Sequence, residues 1–336
     1  MKKTLKILAF SLAIIMLFAL LCGCAQKRKE GYPAVFTSDD RVVMTLGGYN
    51  VAYDFYRFMF NNSVDFFDNG DDSYWTQEGN DVEKVKEYVL ESMLETYGMF
   101  ALADKYEITL SEADLLEIET EVKNAKSGMT NDEFAKEIAT AYMTEELYSF
   151  LLKTQKLEYL VYSHITDEAS GIIKIDDATL EKEIETNFAR ASHILFTFNN
   201  ESEKQSQKEL AEQVLERLKN GEDFETLKEE YSDDTDLKGN TDGYYFTHGE
   251  FKNAFEYAAF ELNEGEISEV VTTNVGFHIV KRLPIEQDYV NENFETLRQQ
   301  CITAKYYDLL KESYKDFKAE YTEEYKEMKL DSFAAE

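Results

Sequence analysis

The chain has 336 residues, of which 43% are hydrophobic and 14% aromatic, enough for genuine cores and for two domains. Its 67 Asp and Glu outnumber 35 Lys and Arg, and the net charge of −32 excludes nucleic acid as a partner, because phosphate binding needs clustered cations. Cys22, Cys24 and Cys301 allow no intramolecular disulfide framework and show no metal-ligand spacing, so no cofactor or metal is expected.

Residues 1–23 read as a targeting segment. Lys2, Lys3 and Lys6 form a positive start, residues 7–21 an apolar run too short for a comfortable membrane span. The run ends Leu21-Cys22-Gly23-Cys24, which looks like a bacterial lipobox: an aliphatic residue, two small ones and the cysteine that is lipidated. Two acyl chains on Cys24, at about 0.8 kcal/mol per buried CH₂, suffice for stable anchoring. Loss of three lysines with the segment takes the net charge from −32 to −35. Residues 24–40 then form the lipidated start and a flexible tether, and the expected location is the extracytoplasmic face of the cell membrane.

Residues 41–188 read as a helical domain. Val42 to Val51 is a short strand broken by Gly47-Gly48, followed by a helix carrying Phe55, Phe58 and Met59. Residues 68–80, rich in Asp, Gly and Asn, read as a loop. Val82, Val85, Val89, Met93 and Tyr97 mark a helical stripe. Ser111 with Asp114, and Thr130 with Glu133, have capping-box form and start two more helices. Helical spacing continues through residues 133–164 and 175–188. The aromatics Phe55, Phe58, Phe66, Phe67 and Trp75 are core candidates, some of which could instead line a groove for unfolded chains.

The period changes near residue 189. Residues 189–198 form a strand. Leu210, Ala211, Val214, Leu215 and Leu218 make a helix closed by Asn220-Gly221, and Phe224, Leu227 and Tyr231 a second after Asp223. A strand over 243–246, a helix carrying Phe251, Phe255, Ala259 and Leu262, and strands over 267–272 and 277–282 follow, until Pro284 stops pairing. The βααβαββ order spans 189–284. Residues 285–336 return to helix, with Phe294, Leu297, Cys301 and Ala304 on one face that packs back on the N-terminal helices. The fold class is α+β: an all-α domain built from both ends of the chain, with a small α+β domain inserted. Amphipathic helical faces would also allow a homodimer.

His193 and His278, two of four histidines, sit in apolar, strand-like phrases at opposite ends of the inserted module. Burying an unpartnered imidazole costs roughly 1–3 kcal/mol, so each either satisfies itself in the core or the two share one site. His164 and His248 read as helix face and surface turn.

Six phrases in this module carry a resemblance: Ala191-Ser-His-Ile-Leu-Phe196, Asn220 to Phe224, Tyr231-Ser-Asp-Asp234, Ala254 to Leu262, Gly265 to Ser268 and Gly276-Phe-His-Ile-Val280. In order and spacing they resemble the parvulin family of peptidyl-prolyl isomerases. With the lipobox and flanking helices the whole chain is similar to PrsA-type foldase lipoproteins, whose helical part is SurA-like. The resemblance implies that catalytic positions fall on His193, Asp234, Thr273 and His278. Asp234 is preferred to Asp233 on its spacing to Phe246. It implies a proline pocket of Phe246, Phe251 and Phe255, lipidation at Cys24, and clients that are unfolded or partly folded exported proteins. Two segments depart from the family. Asn240-Thr-Asp-Gly-Tyr244 replaces Gly-Gly-Asp/Glu-Leu-Gly, and Lys204 alone stands where phosphate-specific parvulins carry a basic cluster, so phospho-Ser/Thr-Pro is not the expected substrate. The resemblance therefore implies a membrane-anchored prolyl isomerase with chaperone activity; the altered segment favours the alternative of a holdase whose parvulin module is inactive.

Overall fold

A computed structural model of the chain describes residues 38–39, 41–68, 72–76, 80–198, 200–251, 254–330 and 332. The expected signal segment, Cys24 and the tether up to residue 37 lie outside the described residues. Contacts divide the chain into two compact units, one of residues 1–165 and 308–336, the other of 166–307.

In the first unit, β1 (Val42–Leu46) turns at Gly47 and Gly48, both at positive φ, into β2 (Tyr49–Ala52). Four helices follow: α1 (Tyr53–Asp68), α2 (Val82–Lys105), α3 (Glu112–Ala125) and α4 (Asn131–Ala139). Both capping boxes form, Ser111 with Asp114 and Thr130 with Glu133, satisfying N–H groups that a helix start leaves unpaired. Helical spacing past residue 133 is interrupted at 140–144, where Tyr142 takes a positive φ, before α5 (Glu145–Thr166). Phe55, Phe58, Val85, Val89, Met93, Phe100, Phe150 and Leu157 are buried in the core. Phe66, an expected core residue, lies 44% exposed at the end of α1, where its ring stacks on Tyr88. The loop expected over 68–80 contains a 3₁₀ turn, Asp72–Thr76.

The second unit starts with α6 (Asp177–Asn187), capped by Asp176, and runs directly into β3 (Phe188–Thr197). Then come α7 (Glu201–Lys219), α8 (Phe224–Tyr231), β4 (Tyr244–Thr247), α9 (Ala254–Glu261), β5 (Ile267–Thr272) and β6 (Gly276–Leu283). The sheet is antiparallel with order β4-β3-β6-β5. One face packs on α7 and α8 through Ile194, Phe196, Val214, Leu215, Leu227 and Ile279. Ala189, Ala191, Phe246, Phe255, Ala259 and Val280 form a second cluster.

After α10 (Gln287–Glu292), α11 (Phe294–Tyr314) begins in the second unit. Its Leu297 and Cys301 are buried with Leu180, Ile184 and Phe188, so this unit extends beyond the βααβαββ span at both ends. The helix ends at Tyr314, so the return to helix expected over residues 285–336 is broken there. Residues Ala319–Tyr321 instead form β7, because β1 offers an unpaired edge: Thr45 faces Glu320 and Leu46 faces Ala319 in the β2-β1-β7 sheet of the first unit. A short α12 (Glu323–Lys326) follows.

Candidate active site

The two central strands of the second sheet carry the two histidines. In register, His193 of β3 faces Val280 and His278 of β6 faces Leu195, so the imidazoles are diagonal neighbours on one face of the sheet. Their Nδ1 atoms are 2.8 Å apart. His193 Nε2 lies 2.6 Å from Asp234 Oδ2, and His278 Nε2 lies 2.8 Å from Thr273 Oγ1. Both rings are buried, 6% and 3% exposed. The four positions His193, Asp234, Thr273 and His278 thus form one hydrogen-bonded line.

The line imposes an order on its protons when both rings are neutral. An ionised Asp234 only accepts, so His193 donates from Nε2 and accepts at Nδ1. His278 then donates from Nδ1, and its Nε2 accepts from the Thr273 hydroxyl. The hydrogen bonds of His193 and, more weakly, of Tyr244 hold the Asp234 carboxyl at about 2, against the opposing pull of burial. Burial first, and then the neighbouring His193, push His278 down to about 3, with Asp234 opposing.

Local backbone explains why Asp234 faces this way. Ser232, 1% exposed, accepts from the N–H groups of Leu195 and Asp234 at 3.1 and 3.2 Å, pinning the segment after α8 to β3. Asp233 turns outward and accepts from the backbone and hydroxyl of Thr197, both at 2.8 Å, which leaves Asp234 as the acid on the histidines.

The three phenylalanines also come together. Phe255 has its ring 5.1 Å from His193 and 5.8 Å from His278. Phe246 and Phe251 lie 5.6 and 5.3 Å from Phe255, and 5.0 Å from each other. Their exposures differ: Phe246 is fully buried, Phe255 is 4% exposed and Phe251 41% exposed. Phe251 therefore presents the accessible wall, and Phe246 supports it from beneath. The loop bearing Phe251 is fixed by the buried carboxylate of Glu256, which accepts from the N–H groups of Gly249 and Phe251 at 2.7 and 2.9 Å. His248, outside the histidine line, stacks on Phe260 at 3.5 Å.

Sequence reasoning missed Ser232, Glu256 and Tyr244. The Tyr244 hydroxyl donates to Asp234 Oδ2 at 2.9 Å. A signal for Tyr244 existed, since it closes the segment where the chain departs from the family pattern of glycines. In that segment Gly243 takes φ +69°, and a Cβ there would stand 2.7 Å from the Ala191 carbonyl oxygen, so the close strand approach requires glycine.

Residues 193–283 match the Rotamase family, described as a PPIC-type PPIase domain. Among similar proteins, the foldase protein PrsA of Caldanaerobacter subterraneus subsp. tengcongensis is 28% identical over 319 residues, covering 91% of this chain and 92% of that protein. The foldase protein PrsA of Bacillus subtilis is 37% identical over 129 residues, 37% of this chain and 41% of its own. Foldase protein PrsA 2 of Listeria monocytogenes serovar 1/2a is 30% identical over 223 residues, 64% of this chain and 69% of its own. With a prolyl-isomerase module flanked by helical segments, and a likeness that reaches across nearly the whole length of one such protein, the chain belongs to the PrsA family of parvulin-type peptidyl-prolyl isomerase foldases.

Proposed function

We propose that the Asp234–His193–His278–Thr273 line is the catalytic centre at which this foldase isomerises Xaa-Pro bonds in unfolded or partly folded exported proteins, held at the extracytoplasmic face of the membrane by lipid on Cys24. The observation that carries the reading is the contact between that line and the Phe246–Phe251–Phe255 cluster, through the ring of Phe255.

Rotation about the amide C–N bond faces a barrier of about 18–20 kcal/mol because resonance gives it double-bond character. No covalent bond need be broken. The site must bind the twisted amide, in which resonance is lost, better than either planar form. The aromatic wall of Phe251, backed by Phe255, grips the pyrrolidine ring and holds one side of the rotating bond. Excluding water around the carbonyl disfavours its charge-separated resonance form. The two histidines act as a fixed polar floor, oriented by Asp234 at one end and Thr273 at the other, and no proton transfer is required of them.

The surroundings favour an unphosphorylated substrate. The single cation of residues 199–207, Lys204, sits in the first turns of α7 and lies over the ring of Phe198 at 5.6 Å. The helical unit would serve as the chaperone part, with the surface pair Phe66 and Tyr88 as apolar contact for an unfolded chain.

The test is exchange of short Xaa-Pro peptides, followed by NMR or by a protease-coupled assay, with the full chain. Acceleration is expected, falling about tenfold or more in His278→Ala and Asp234→Ala while the fold is retained. No acceleration with any peptide overturns the catalytic reading. Anchoring is tested separately by membrane fractionation, where Cys24→Ala should release the protein; a variant that stays with the membrane overturns it.

A further inference from the structure

Two buried cations and one phenol lie beside the site without a part in the chemistry above. Lys228, 1% exposed, donates to the Asn240 carbonyl at 2.8 Å. Arg190, 4% exposed on the strand that carries His193, donates to the carbonyls of Asp242 at 2.6 Å and Thr241 at 3.1 Å. Three consecutive carbonyls are thus held by side chains rooted in β3 and α8. Gly243 then turns at φ +69°, and β4 opens with Tyr244 in register with Ala191. This delivers the Tyr244 hydroxyl to Asp234 Oδ2 and sets its ring 6.0 Å from His193 and 6.2 Å from Phe251.

We infer that Tyr244 is a positioning residue of the isomerase site: its hydroxyl aims the Asp234 carboxylate at His193, and its ring braces the Phe251 wall. The inference rests on the site reading given under Proposed function. Oδ2 of Asp234 accepts from both His193 and Tyr244, while Oδ1 accepts from the Asp236 N–H at 3.0 Å. A carboxylate held by three donors cannot swing away from the imidazole, and its charge is fully used in orienting that ring. Without the phenol, Oδ2 keeps His193 alone. The groups left around the carboxylate are then His193 on β3, His278 on β6 and, through its backbone N–H, Asp236 on the following loop, and the pull of burial toward protonation is less opposed.

The test uses the full chain and three variants, Tyr244→Phe, His193→Ala and Asp234→Asn, with kcat and KM for an Xaa-Pro peptide measured across pH. Tyr244→Phe keeps the ring and removes the donor, so kcat should fall about tenfold with KM little changed, the loss expected for one hydrogen bond to a charge. The acid limb of kcat/KM should also move to higher pH. If His193→Ala has wild-type activity, the site reading itself fails. If His193→Ala loses activity while Tyr244→Phe keeps the wild-type kcat and pH profile, the inference about Tyr244 is overturned. A second measurement does not need the Phe variant to fold. The ¹³Cζ resonance of Tyr244 should titrate at lower pH in Asp234→Asn than in the wild type, because the adjacent negative charge is gone, and an unchanged titration overturns the pairing.

Discussion

Nδ1 of His193 and Nδ1 of His278 meet at 2.8 Å across the two central strands, with ring planes 25° apart. Only one of the two nitrogens can carry the shared proton. Protonating His278 at Nδ1 and Nε2 together would also forfeit its acceptor role toward Thr273. Buried beside another imidazole, it is kept neutral by its surroundings.

That neutrality has a cost that depends on pH. His278 is held at about 3 in the fold against an ordinary value of 6.5, so the unfolded chain binds the extra proton between those limits. Its contribution to stability is complete above pH about 6.5 and declines as pH falls toward 3. At about 1.36 kcal/mol per unit, the total loss is on the order of 5 kcal/mol. Urea unfolding of wild type and His278→Asn at several pH values between 7 and 4 reads this directly. The variant is expected to show a shallower slope, whatever its absolute stability; equal slopes would place the titration elsewhere.

Phe246 and Phe251 should separate stability from catalysis. Phe246 is fully buried, and Phe246→Ala removes an aromatic from the core, a change that typically costs about 3–5 kcal/mol. Phe251 is 41% exposed, so Phe251→Ala should cost under roughly 1.5 kcal/mol yet lower kcat/KM on Xaa-Pro peptides. Thermal unfolding and peptide exchange on the two variants give the comparison. A Phe251 variant with undiminished exchange would remove that ring from the site.

Much of this was legible in the sequence because it is local. Helix starts at Ser111 and Thr130 are written in three-residue spacings, and the strand phrases around His193 and His278 carry their own period. What stayed illegible depends on partners far along the chain. The β7 strand at residues 319–321 follows helical residues and exists only because β1 presents an open edge some 270 residues earlier in the chain. Likewise α6 looks like part of the N-terminal helices, yet its Leu180 and Ile184 are buried with Leu297 and Cys301. In the candidate site, histidines within apolar runs stood out, whereas Glu256 and Tyr244 did not. A carboxylate bonded to backbone N–H groups and a tyrosine in a turn look like ordinary surface residues until the fold brings their partners near.

The altered turn before β4 makes a prediction about glycine. Gly239 and Gly243 both adopt φ +69°, but a Cβ at Gly239 would meet open space, whereas one at Gly243 would meet the Ala191 carbonyl oxygen at 2.7 Å. Gly239→Ala should therefore cost about 1 kcal/mol, the penalty of the left-handed conformation alone. Gly243→Ala should cost more, on the order of 2–4 kcal/mol, because β4 must also move away from β3. Denaturant unfolding of the pair measures the difference. Equal losses would mean that the turn relaxes without disturbing the sheet.

Arg190 offers a way to weigh backbone hydrogen bonds against an ion pair in one side chain. Its guanidinium donates to the carbonyls of Thr241, Asp242 and Pro284 and also pairs with Glu286 at 2.5 Å. Glu286 is 55% exposed, so water and salt screen its charge, and Glu286→Gln should change stability by less than about 1 kcal/mol. Arg190→Met instead leaves three carbonyls without their donor, and a lost partner costs roughly 1–3 kcal/mol where water cannot replace it. Thr241, Asp242 and Pro284 are all exposed residues, so water can take over part of each lost bond, and a total loss of about 1–3 kcal/mol is expected from Arg190→Met. Urea unfolding at low and high salt distinguishes the contributions. A loss that vanishes at high salt would assign the anchoring to Glu286, and one that persists assigns it to the carbonyls.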